Sequence, residues 1–294
     1  NFGKYGVHAA LNHLFHMALF MNKRYDIIHC QYGTLGRDWA YMKEMMNTKL
    51  VVSFRGYDLM RMVFEHGPGV YKELFDRGDA FLPVCQYFAK RLEGIGCPPQ
   101  KIHVLYSGID VEKYPYRERT FNFQTNIELL SVGRLVEKKG IQYVIRAAAK
   151  LVKRYPHLRC TIIGTGKIEE ELKQLSRSLK LENNIHFISG LIDSEMREIY
   201  ARSQIFVLPC VRAQDHDQEG IPNALKEAMA TGMPVISTRQ SGIPELVQDG
   251  VSGFLVSEKD ADALAEKCEY LISHPQRCAE MGRMHVHAGQ EKFP

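Results

Sequence analysis

Short apolar runs recur along this chain, and stretches with helical spacing separate them. In the second half the runs are IELLSV (127–132), LRCTIIG (158–164), IHFIS (185–189), QIFVLP (204–209), PVIST (234–238) and FLV (254–256). They are rich in β-branched residues and lack the polar alternation of a sheet with one wet face. That is the pattern of parallel strands covered on both sides. Residues 141–154 and 168–180 carry helical periods, and Glu169, Glu170 and Glu171 stand at the start of the second, where acidic side chains suit the positive end of a helix dipole. Strand, helix and strand in repetition predict a doubly wound α/β domain.

The first half repeats the alternation less cleanly, with strands expected at DIIHC (26–30), LVVSF (50–54), AFLPVC (80–85) and KIHVLY (101–106). The polar, turn-rich segment 107–126 reads as a connection. The expected organisation is a first domain over 1–108, a linker over 109–126 and a second domain over 127–294. A doubly wound domain usually has more strands than the first half offers. Asn1 is not a methionine and the chain stops at Lys292-Phe293-Pro294. The first domain is therefore expected to be incomplete, and the chain to be a fragment lacking N-terminal strands and a C-terminal tail. His8, Asn12, His13 and His16 interrupt the opening apolar positions, which predicts a short amphipathic helix and not a signal peptide.

Composition narrows the function. The apolar share of 45% and charged share of 24% are those of a globular chain, and no run is long enough to span a bilayer. A net charge of +4 without a recognition helix or stacked aromatics argues against a nucleic-acid partner. The basic clusters Lys90-Arg91, Arg117/Arg119, Lys138-Lys139 and Lys153-Arg154 read as solvated faces, with attraction to an anionic membrane surface or substrate as the alternative. The seven cysteines include no CxxC pair and are expected as reduced core thiols of a cytoplasmic protein. HVH at 285–287 lacks companion ligands and reads as a solvated helix face.

The strongest motif is QEGIPNALKEAMATGMPVIST (218–238). Pro222 suits the first position of a helix, because it lacks the N–H that would be left over there. Glu219 then lies in the loop before the helix and Glu227 on its second turn. Free N–H groups near Ile221, Asn223 and Ala224 make a site for an anion or a sugar hydroxyl. Two carboxylates beside it can accept hydrogen bonds from vicinal diols, although solvated helix carboxylates are the ordinary reading of a bare pair. In SVGRLVEKKG (131–140), a strand ends at Gly133, and Arg134 and Lys139 stand over a helix start as a cationic clamp suited to a diphosphate. Two exposed surface cations are the alternative. GTGK (164–167) fails the dinucleotide fingerprint, with Glu169 where glycine is wanted, and fails the Walker pattern, with Thr161 and Ile168. A tight turn that lets backbone approach a ligand remains. Asp215-His216-Asp217 has the spacing of a metal motif but reads as a loop just before Glu219, so no metal is expected.

Taken in order, SVGRLVEKKG, IIGTGKIEEEL, FISGLI, the two-glutamate segment and SGIPELVQDGVSGFLV resemble the donor domain of retaining glycosyltransferases of family 4. These have the GT-B architecture of two Rossmann-like doubly wound domains facing across a cleft. The resemblance is strong over 127–290, looser over 24–110, and suggests bacterial exopolysaccharide enzymes of the colanic-acid type. It implies that Arg134 and Lys139 clamp the diphosphate, Glu219 engages the donor sugar and Glu227 binds ribose hydroxyls. The backbone of Gly220, Ile221, Pro222 and Asn223 would lie against sugar and phosphate, beside Gly133, with Gly166 and Leu191 near the base. Catalysis would rest on Glu219, Arg134 and Lys139.

The first domain departs from the family pattern. SFRGYDL (53–59) has Arg55 where a histidine usually stands, and IHCQYG (28–33) has Gln31 and Tyr32 where histidine and phenylalanine are common. Arg55 and Gly56 are candidate acceptor or donor contacts. Arg55 is either a binder of an anionic acceptor group or a salt-bridged structural arginine. The family's first glycine-rich loop has no match, and a chain without it is expected to bind or turn over donor poorly.

The resemblance implies a hexosyltransferase with no cofactor, using a UDP- or GDP-type sugar as substrate. The implied acceptor is a glycan or polyprenyl-diphosphate-linked oligosaccharide, met at the inner face of the cytoplasmic membrane through surface contacts. A nucleotide-sugar epimerase or phosphorylase of the same fold, and a non-catalytic nucleotide-sugar-binding fragment, are the competing readings.

Overall fold

The computed structural model describes residues 20, 23–119, 122 and 127–292, without the side chains of 285–292. The amphipathic helix expected before residue 20, much of the linker's end and the histidine pair at 285–287 fall outside these residues or side chains. Two parallel sheets organise the chain. The first has the order β1 (Ile27–Cys30), β2 (Lys49–Phe54), β3 (Ala80–Pro83). Helices α1 (Gly33–Trp39), α2 (Met42–Met46), α3 (Arg61–His66), α4 (Lys72–Arg77) and α5 (Gln86–Gly94) connect and flank its strands.

The second sheet contains β4 (Ile127–Val132), β5 (Leu158–Ile163), β6 (Ile185–Ile188), β7 (Ile205–Val207), β8 (Val235–Thr238) and β9 (Phe254–Val256), in the order β6-β5-β4-β7-β8-β9. Its helices are α6 (Ile141–Leu151), α7 (Glu169–Ser178), α8 (Asp193–Arg202), α9 (Asn223–Ala230), α10 (Ile243–Leu246), α11 (Ala261–Ser273) and α12 (Pro275–Lys292). This is the Rossmann order, and the strand sequence reverses between β4 and β7. Ligands of open α/β sheets bind at that switch point, outside the carboxyl ends of the strands.

The local chemistry explains the elements. On α6, Ile141, Val144, Ile145, Ala148 and Leu151 are buried, the spacing of one helix face against the sheet. Gly140 starts this helix at φ +68°, and a Cβ there would lie 1.9 Å from the carbonyl oxygen of Pro209. Glycine is required on both counts. All seven cysteines are buried free thiols.

One expected strand is different. Within 101–106 only Ile102 forms an isolated bridge, to Phe81, while the His103 and Leu105 amides donate to the Phe81 and Pro83 carbonyls. The segment runs beside β3, but Pro98 and Pro99 open it as a 3-10 turn and shorten the ladder. The basic cluster at 117 and 119 also divides. Arg117 is exposed, whereas the Arg119 guanidinium donates to the carbonyls of Tyr200, Ala201, Ser203 and Thr231. These carbonyls close α8 and α9, so Arg119 caps two helix ends and does not belong to a solvated face.

Candidate donor site at the switch point

Four charged side chains meet beyond β4 and β7. A single 3-10 turn, Glu137–Lys139, follows the strand end at Gly133 and turns two consecutive lysines inward. Lys138 and Lys139 are only 7% and 8% exposed, which corrects the solvated face expected for the pair. Lys138 Nζ lies 2.9 Å from Asp217 and 3.1 Å from Glu219, and Lys139 Nζ lies 3.2 Å from Glu219. The Lys139 stem crosses Gly133, where an added Cβ would stand 3.3 Å from Cε. Burial pushes the Glu219 carboxyl up, but Lys139 and then Lys138 outweigh it and hold it below its ordinary value. Burial likewise pulls Lys138 down, and Glu219 and Asp217 more than reverse it, leaving it raised. Glu219 is thus held as a buried, ionised acceptor. Lys139 is not a bare cation, because it shares Glu219.

The helix after this loop begins one residue later than expected. Pro222 has ψ 129° and is the N-cap, so α9 starts at Asn223. Proline fixes φ, but its ψ is free to stay extended. Ile221 is 8% exposed and packs into the core of the first domain, so only its backbone remains for a ligand. Glu227 lies on the second turn and accepts a 2.8 Å hydrogen bond from the Tyr200 hydroxyl of α8. Burial raises its carboxyl. One residue before it, Lys226 is buried and donates to the Ser107 carbonyl, tying α9 to the linker. Burial lowers its amine to about 8.

Arg134 is exposed beside this cluster. The glycine turn at 164–166 packs against the neighbouring loop. A Cβ on Gly164 would meet the Gly133 carbonyl at 2.0 Å, and one on Gly166 the Leu135 carbonyl at 2.2 Å. Loop-to-loop backbone packing therefore sets the glycine requirement that sequence reasoning assigned to a ligand. Gly190 turns at φ +71°, and Leu191 is half-buried against the core.

The first domain closes over the same loop. Asp58 is buried and accepts hydrogen bonds from the amides of Gly33, Arg55 and Gly56, which fixes the turn after β2. A Cβ on Gly56 would lie 2.7 Å from the Gln218 carbonyl, and one on Gly220 2.9 Å from Val84. Arg61 bridges to Asp215 at 3.1 Å, and Phe64 stacks on His216 with centroids 3.6 Å apart. Glu245 accepts from the amides of Gln86 and Tyr87 at the start of α5 and from the Tyr106 hydroxyl. Arg55 is exposed, and its guanidinium donates to the carbonyl and side-chain oxygens of Gln31. Among the described residues it has no ion pair, so the salt-bridged reading of Arg55 does not hold.

Sequence reasoning brought Arg134, Lys139, Glu219 and Glu227 to one edge, as the structure does. It missed Lys138, Asp217, Tyr200 and Lys226. Lys138 had a signal in its place beside Lys139, and Lys226 in its place between Asn223 and Glu227. Among the described residues no group of three or more histidine, cysteine or carboxylate side chains is arranged to hold a metal ion. No helix among them is long and apolar enough to cross a membrane.

The charge cluster carries a pH signature. The lowered Glu219 carboxyl stabilises the fold above its unfolded value, about 4.3, and that contribution is lost as pH falls through the folded value. The raised Lys138 contributes below about 10.4 and is lost as pH rises through its folded value. Glu227 is shifted the opposite way to Glu219, so the comparison must be with Glu219→Gln. We expect the Tm difference between wild type and this variant to be flat from about pH 6 to 9 and to shrink below about pH 4. Differential scanning fluorimetry across that range measures it.

Two parallel-sheet α/β domains, the second doubly wound, meeting over a switch-point site define a protein of GT-B architecture. Residues 113–285 match the family Glycosyl transferases group 1, and residues 4–113 match Glycosyltransferase Family 4. The chain belongs to this glycosyltransferase family. It is 38% identical to the putative colanic acid biosynthesis glycosyltransferase WcaL of Salmonella typhimurium, over 82% of this chain and 60% of the relative. It is 37% identical to the amylovoran biosynthesis glycosyltransferase AmsK of Erwinia amylovora, over 82% of this chain and 60% of the relative. The chain thus spans about 60% of the length of these relatives. The Anabaena HepE structure in complex with UDP shares the fold with a TM-score of 0.81 at 21% identity, covering 97% of this chain and 79% of HepE.

Proposed function

We propose that this chain carries the donor site of a retaining hexosyltransferase acting in bacterial exopolysaccharide synthesis. The observation that carries the reading is Glu219, ionised and buried between Lys138 and Lys139 at the switch point, directly before the start of α9. Its acceptor oxygens suit the hydroxyls of a donor hexose. Arg134, Lys139 and the leading amides of α9 suit the diphosphate of a UDP- or GDP-type donor. Glu227, held by Tyr200, suits ribose hydroxyls, and Gly166 and Leu191 border the base. The names of WcaL and AmsK, both glycosyltransferases of polysaccharide biosynthesis, support the pathway class. HepE, which shares the fold, is described in complex with UDP, which supports a nucleotide ligand for the reading.

In the proposed step, the bond from the sugar's anomeric carbon to the phosphate oxygen breaks as the acceptor oxygen bonds that carbon on the same face. The acceptor's proton passes to the leaving phosphate. Arg134 and Lys139 take up the charge that develops there. Asp215 and Asp217 are each engaged by a cation, Arg61 and Lys138, which favours a metal-independent site. The acceptor is a glycan or a polyprenyl-diphosphate-linked oligosaccharide, reached at the cytoplasmic face of the membrane by peripheral contact.

The test is donor consumption with and without acceptor, with NMR of the new linkage. A transferase consumes donor faster with acceptor and keeps the donor's anomeric configuration. Equal consumption without acceptor would favour an epimerase or phosphorylase, and an inverted linkage would overturn the retaining mechanism.

A further inference from the structure

Cations around this loop differ in whether a carboxylate meets them. Lys138, Lys139 and Arg61 are all ion-paired, whereas neither Arg134 nor Arg55 has an ion pair among the described residues. Arg134 stands beside the donor site and has an anion waiting in the proposed function. Arg55 belongs to the opposite wall, one residue from Gly56, which lies against the Gln218 carbonyl next to Glu219.

The Arg55 side chain is held in place by neutral groups alone. Its Nε donates to the Gln31 carbonyl at 3.2 Å, and a terminal nitrogen donates to Gln31 Oε1 at 2.5 Å. The Gln31 amide nitrogen then lies 3.3 Å from His29 Nδ1, and His29 Nε2 lies 2.8 Å from Ser53 Oγ. An amide that donates to Nδ1 leaves the imidazole proton on Nε2, which donates to the serine. The chain from Ser53 through His29 and Gln31 therefore orients the guanidinium without neutralising it. At its other end, the Asp58 carboxylate takes the Arg55 amide and fixes the backbone. A fixed, uncompensated, exposed guanidinium is preorganised for an anion. Tyr32 and Tyr57, the sequence neighbours of Gln31 and Gly56, are 44% and 41% exposed. The Arg61 guanidinium lies over the Tyr57 ring, 5.7 Å from its centroid, so Tyr32 is the exposed aromatic left to meet a sugar ring.

We propose that Arg55 is the specificity residue of an acceptor subsite for an anionic sugar, one bearing a carboxylate or linked through a diphosphate. The proposal rests on the donor-site reading above and adds the chemical class of the second substrate. Both sources present oxygens that two guanidinium N–H groups can meet together.

The test is ligand-observed NMR titration of this chain saturated with UDP, so that the donor's phosphate site is filled. The probes are methyl β-glucuronide, geranyl diphosphate and neutral methyl β-glucoside, against wild type, Arg55→Lys and Arg55→Gln. At least one anionic probe is expected to bind about tenfold more tightly than the glucoside. Arg55→Gln should erase that margin and Arg55→Lys should keep part of it. Preference for the glucuronide names a carboxylate as the anion, and preference for geranyl diphosphate names the diphosphate. Equal binding of all three probes, or a margin that survives Arg55→Gln, overturns the proposal. So does an Arg55→Gln variant that loses UDP affinity itself, since Arg55 would then serve the donor. Failure of wild type to bind UDP at all is a different result and removes the donor-site reading.

Discussion

Alanine in place of Glu219 is expected to destabilise the chain by about 3–5 kcal/mol, the cost of breaking a buried ion pair from one side. The lysines stay buried whichever residue stands at 219, because the 3-10 turn at 137–139 directs them inward. Lys138 keeps Asp217. Lys139 loses its carboxylate partner altogether. Urea denaturation of wild type and variant measures the difference. Adding Lys139→Met to the alanine variant removes the stranded charge and should recover a large part of the loss. A Glu219→Ala variant within about 1 kcal/mol of wild type would mean that the cluster is solvated and worth little. Transfer activity should vanish in the same variant if Glu219 holds the donor sugar.

The second large effect is expected far from the charged cluster. Arg119→Ala should cost about 4 kcal/mol, because it strands several carbonyls at the ends of α8 and α9 that a single guanidinium satisfies. Burial lowers the Arg119 pKa to about 10, which still leaves it charged at neutral pH. Lysine should rescue less than half of the loss, since one ammonium cannot reproduce a planar fork reaching two helix ends. The effect should extend to ligand binding. Tyr200 gives its carbonyl to Arg119 and its hydroxyl to Glu227, so loosening the end of α8 displaces the group that orients Glu227. Nucleotide affinity should fall together with Tm, as paired calorimetry and thermal unfolding would show. An Arg119→Ala variant with unchanged Tm would contradict the capping role.

The parts of this fold readable from sequence were those set by local pattern. Six apolar runs gave the strands of the second sheet, and the glycine at 140 and the Glu169–Glu171 run marked helix starts. What local pattern cannot carry is the inward turn of Lys138 and Lys139. Adjacent lysines read as a solvated face until a strand end and a short 3-10 turn bring Asp217 and Glu219 to them from about 80 residues away. Arg119 is similar, since its partners lie on two helices further along the chain. Pro222 was displaced by one position because proline constrains φ and not ψ. The glycines at 164 and 166 were correctly seen as demanding close approach, but the approaching group is the backbone at 133–135. Arg55 shows the limit from the other side. Its sequence neighbours do not reveal whether a carboxylate meets it, and only the tertiary arrangement shows that Gln31 does so instead.

The most direct test of the central claim, a nucleotide-sugar site at the β4–β7 switch point, is isothermal titration of this chain with UDP, GDP and ADP beside a Glu227→Ala variant. One nucleoside diphosphate should bind wild type, and the variant should bind it about tenfold or more weakly, as expected for loss of a charged hydrogen-bond acceptor. No binding of any of the three to a folded chain, or binding untouched by Glu227→Ala, would contradict the assignment.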